Sequence, residues 1–138
     1  MSISIKRSFT IGLVLTTLGC FLPWQVEGDF LSVWTFGIRI FPSFEDNGGL
    51  LILLLCIALA VLIFKPSSLI EKPEKWIIVL SGILTLDSIF HIVSWVINLS
   101  RKLGRVGAPL IHIGLVMVFI GSIILLITAL LHYRKIMR

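Results

Sequence analysis

The chain has 138 residues, 57% of them hydrophobic and 14% charged, whereas soluble domains carry about half apolar and about a quarter charged residues. A mean hydropathy of +1.08, concentrated in four runs, predicts a single small membrane domain over residues 1–138 with much of its surface facing lipid or a partner. The net charge of +5 does not indicate nucleic acid, because the basic residues flank apolar runs and no basic patch is interleaved with aromatics. Orientation and lipid headgroups account for them better.

A short basic leader with Lys6 and Arg7 precedes the first run, residues 8–24, SFTIGLVLTTLGCFLPW. A basic start and a short hydrophobic stretch also fit a cleaved signal peptide. Leu18-Gly19-Cys20 makes a poor lipidation site, since apolar FLPW follows where a polar tether belongs. The run is read as a retained first transmembrane helix, ended by Pro23 and anchored at headgroup level by Trp24.

Residues 25–48 form the longest polar connection, with a turn signal at Gly28-Asp29. In residues 30–41, FLSVWTFGIRIF, Val33, Thr35, Gly37 and Arg39 alternate with Trp34, Phe36, Ile38 and Ile40. That period of two predicts a short extracytoplasmic β-hairpin between helices 1 and 2, with an interfacial amphipathic helix as the alternative. Trp34 is the aromatic of this loop best suited to a partner contact.

The second run, residues 49–64, contains no polar side chain apart from Cys56 and can face lipid on most sides. Cys20 and Cys56 both lie inside apolar runs. This is neither a disulfide framework nor a zinc site, and the two read as buried thiols acting as small hydrophobes. Lys65-Pro66 stops the second helix, and Pro73 stands near the start of the third, about residues 75–99.

Residues 76–98, WIIVLSGILTLDSIFHIVSWVIN, carry an acid and a histidine in the interior of a span. Asp87, His91, Ser94 and Asn98 recur at i, i+4, i+7 and i+11 and share one helix face. An ionised Asp at the bilayer centre costs about 2.5–3.5 kcal/mol on insertion scales, so a partner must offset it. One reading is an Asp–His relay or ligand pair opening outward through Ser94 and Asn98. The other is interhelical glue, with Asp87 or the Asp–His pair bonded to Thr16, Thr17 or a neighbouring carbonyl.

The fourth helix, about residues 108–133, places Gly107, Gly114, Gly121 and Thr128 at seven-residue intervals. Small residues at that spacing permit close helix approach, either within the chain or as a docking face for a second protein. His112 and His91 fall at depths within about 5 Å of each other. Two such histidines could ligate a haem or a chlorophyll-type pigment, but His112 lies nearly opposite the glycine line and reads more readily as a hydrogen-bonded packing residue. His132 reads as interfacial. No catalytic motif and no metal-ligand spacing is present.

Lys6, Arg7, Lys65, Lys72, Lys75, Arg134, Lys135 and Arg138 fall on one side of the four spans, against Arg39, Arg101, Lys102 and Arg105 on the other. The excess places both termini in the cytoplasm of a multi-pass cell-membrane protein. The long outer loop carries about −3 and the short one about +3 through Arg101, Lys102 and Arg105, so the two are expected to touch.

The Gly19–Trp24 stretch G-x-FLPW, a glycine-punctuated outer loop and Asp46-Asn47-Gly48-Gly49 opening a leucine-rich helix resemble small prokaryotic four-helix membrane proteins. That resemblance covers about residues 19–64 and implies topology rather than activity. The layout is also similar to the claudin-like arrangement of four helices with a β-rich first outer loop. The Gly-Leu-Trp and paired-cysteine signature of that family is absent here, so its function is not carried over.

The expected fold is thus an all-α membrane protein, a bundle of four transmembrane helices with a small outer hairpin. The expected function is a non-catalytic accessory or assembly subunit of a larger membrane protein complex. Two alternatives stand beside it. One is cofactor or proton handling by Asp87 and His91. The other is lipid or small-ligand binding in an outward-facing polar wedge.

Overall fold

A computed structural model describes residues 3–27, 33–36, 48–65, 72–102, 110–111 and 113–137, with side chains over 3–22, 49–65, 72–97 and 113–137. These residues form four helices: α1 Ile3–Phe21, α2 Gly48–Phe64, α3 Pro73–Lys102 and α4 Ile113–Ile136. Three short strands lie between them: β1 Pro23–Glu27, β2 Val33–Phe36 and β3 Leu110–Ile111.

Helix α1 begins earlier than the apolar run alone predicts. Lys6 and Arg7 are exposed, so the helix continues through them at no desolvation cost, and Phe9 below them is fully buried. It ends before Pro23, where Leu22 N–H still reaches the Gly19 carbonyl at 3.3 Å. The chain then continues as β1 from Pro23, which therefore opens a strand rather than merely closing a helix. At the start of α3, Lys72 adopts a φ of 55° and turns the chain into Pro73, whose fixed φ and missing N–H suit a first helical position.

β1 pairs antiparallel with β2, Val26 opposite Trp34 and Glu27 opposite Val33, with an irregularity between Pro23 and Gln25. Its other edge takes β3, Gln25 opposite Ile111 and Val26 opposite Leu110. The strand order is β2-β1-β3. Within residues 30–41, only Val33–Phe36 is described, and its ladder partner is Pro23–Glu27. Residues 110–111, expected at the start of the fourth helix, are a strand instead. The free edge of β1 supplies hydrogen bonds that a frayed first helical turn lacks. The acidic and basic connections thus meet through backbone pairing, while the side chains of Arg39, Arg101, Lys102 and Arg105 lie outside the described residues.

Each helix packs on two others: α1 on α4 and α2, and α3 on α4 and α2, with α1–α4 the most extensive seam. The core they enclose centres on Phe9, Leu13, Ile52, Leu59, Leu84, Leu115, Val118 and Leu125. The outer faces of all four helices are lined with large hydrophobics, among them Val14, Leu18, Leu54, Val61, Leu86, Phe90, Ile120 and Leu131. α3 and α4 are long and apolar enough to cross a membrane, and α2 is a shorter apolar helix.

Candidate functional site

The α1–α4 seam is built from glycine. A methyl group on Gly19 would lie 2.7 Å from the Gly114 carbonyl and 2.9 Å from the Val118 nitrogen. One on Gly121 would meet the Thr16 hydroxyl and lie 2.8 Å from the Thr16 nitrogen. Gly12 in turn faces Leu125 and the Gly121 carbonyl. The helices run antiparallel, Gly12 beside Gly121 and Gly19 beside Gly114. Gly114, Gly121 and Thr128 of the α4 line are all buried, whereas Gly107 lies outside the described residues. Backbone this close gains dispersion along the whole seam, which is the main attraction available between helices in an apolar surround.

The α3–α4 seam is built from hydroxyls. Thr85 Oγ1 donates to the Ser81 carbonyl at 2.8 Å and lies 3.2 Å from the Ser122 carbonyl across the seam. Ser88 Oγ and Ser122 Oγ stand 3.0 Å apart. Each also has a carbonyl on its own helix, Thr85 for Ser88 and Phe119 for Ser122, both at 2.8 Å. Ser81 is fully buried and its hydroxyl has no hydrogen-bond partner. Sequence reading missed this cluster. Ser and Thr commonly bond the carbonyl one turn back in their own helix, so their presence does not reveal which of them also cross a seam.

Asp87 sits at the centre of α3, 14 residues beyond Pro73 and 15 before Lys102. His91 Nε2 lies 3.8 Å from Asp87 Oδ2, with side-chain exposures of 26% and 20%. That is an ion-pair separation rather than a hydrogen bond. Oδ2 is itself buried without a hydrogen-bond partner, and the His91 ring meets Phe90 edge-on at 5.9 Å. The carboxylate is within charge-interaction range of Cys20 on α1. Thr16, expected as a partner for the acid, instead donates to the Gly12 carbonyl at 2.8 Å. Ser94 is half-buried on the same flank. The side chain of Asn98 lies outside the described residues.

Cys20 and Cys56 are free and buried, and Cys20 Sγ donates to the Thr16 carbonyl at 3.2 Å. His112, the other candidate cofactor ligand, lies outside the described residues, as does the Trp34 side chain. Among the described residues no group of three or more His, Cys, Asp or Glu is placed to hold a metal ion. Comparison of the chain with protein families, characterised proteins and solved structures finds no match.

Proposed function

We propose that all four helices cross the bilayer with both termini cytoplasmic, and that the chain serves as a non-catalytic accessory or assembly subunit of a larger membrane protein complex. The strands then lie on the outer surface. Hydroxyls inside and large hydrophobics outside support the membrane reading, because lipid reverses the usual demand on an outer surface. At 17 residues, α2 is about 26 Å long, close to a hydrocarbon core of roughly 30 Å.

The observation that carries the assembly role is the Asp87–His91 pair, left partly exposed at the midpoint of the less covered long helix. Over its apolar window α3 is 28% buried against 44% for α4. An acid at membrane depth needs a polar neighbour, and a helix of another subunit laid on α3 would supply one. A photo-reactive residue in place of Phe90, activated in native membranes, should give one discrete higher-mass adduct that weakens in His91→Ala. Recovery of a monodisperse monomer, with no adduct from any α3 position, would end the assembly reading.

The second reading is proton handling by the same pair, favoured by an Oδ2 atom that has no hydrogen-bond partner. Loss of a proton flux in Asp87→Asn vesicles, with the adduct intact, would select it.

A further inference from the structure

We propose that the outer face of α1 binds one anionic phospholipid, its phosphate held between Lys6 and Arg7 and an acyl chain lying along Ile11, Val14 and Leu18. This rests on the membrane reading above. Ile3, Lys6, Arg7, Thr10 and Ile11 line one shallow surface hollow, and their spacing of i, i+3, i+4, i+7 and i+8 makes them a single helix face. Lys6 and Arg7 are exposed there. The Thr10 hydroxyl is committed to the Lys6 carbonyl at 3.0 Å, so anion binding falls to the two cations. Arg offers a planar fork for phosphate oxygens and Lys a point charge beside it.

Below the cations the same face continues as exposed Ile11, Val14, Leu18 and Phe21. A free phosphate would gain nothing from that track, whereas a lipid tail would cover it. The field around the hollow has the matching sign. The antiparallel α1–α4 seam puts the start of α1 at the end of α4, where Arg134 and Lys135 are exposed. His132 of α4 is within charge-interaction range of Glu74, which brings the start of α3 to the same end. Lys72 and Lys75 are exposed there too. Basic groups gathered at one membrane face attract anionic headgroups, and the hollow gives one of those headgroups a fixed seat.

Full-length protein in mild detergent, offered equal phosphatidylglycerol and phosphatidylcholine, should retain the former about fivefold better by native mass spectrometry, a ratio of the size one basic contact supplies. Lys6→Gln with Arg7→Gln should abolish the preference, and Lys75→Gln with Lys135→Gln, at the same end but outside the hollow, should keep it. Equal retention of both lipids would overturn the proposal. So would an equal loss in the two double variants, which would show a diffuse basic end and no seat. Failure of the membrane reading would look different: the protein would stay in solution without detergent after membranes are sedimented.

Discussion

Gly121 of α4 lies so close to Thr16 of α1 that a single added methyl would stand 2.8 Å from the Thr16 backbone nitrogen. Backbone cannot yield as a side-chain tip can. Gly121→Ala and Gly19→Ala should therefore lower stability by about 1–3 kcal/mol, the usual cost of overpacking. Gly12→Ala should cost less, because its first obstacle is the Leu125 side chain. Gly82→Ala meets open space and should gain up to about 1 kcal/mol from helix propensity. Thermal melts of the four variants in one detergent give the ranking, and a Gly82→Ala loss as large as that of Gly121→Ala would refute the seam.

The hydroxyl cluster divides into members that are paired and one that is not. Ser122→Ala removes the Ser88 contact but leaves the Ser122 carbonyl for Thr85, so it should cost only about 0.6 kcal/mol, typical of interhelical hydrogen bonds in membranes. Ser81→Ala removes a buried hydroxyl without a partner and should be neutral or stabilising. Denaturant titration in mixed micelles separates the two. A Ser81→Ala variant less stable than Ser122→Ala would contradict the accounting.

Asp87 and His91 should behave as a unit. Each single change leaves the other polar group in low dielectric without this neighbour, so Asp87→Asn with His91→Ala should cost less than the summed singles by about 0.5–1 kcal/mol or more. Additive effects in a double-mutant cycle would mean that the 3.8 Å approach carries no coupling.

Cys20 and Cys56 are 0% and 2% exposed, and buried thiols are inert. Both should resist maleimide in the folded protein and react together once it is denatured. Rapid labelling of one in the native state would place its helix end in water.

Much of the fold was legible in composition and spacing. Four helices stand on the four apolar runs, and three of the four α4 small-residue positions lie in a buried line. The strands were less legible. Pro23 and Trp24 read as the end of a span and residues 25–27 as polar connection, and only the pairing of β2 and β3 on either side makes them the middle strand. The site was half legible. The period that puts Asp87 and His91 on one face is a property of any helix, but the direction in which that face looks is not.

The chain by itself determined which segments are helical and that an acid and a histidine share a helix face, because these follow from local backbone geometry and side-chain polarity. Tertiary structure decided that Gly12 and Gly19 of α1 answer Gly121 and Gly114, and that Ser122 completes the hydroxyls of α3. Those pairings depend on the register in which one helix slides against another. That register is set by the closest approach of two backbones, which neither segment encodes alone.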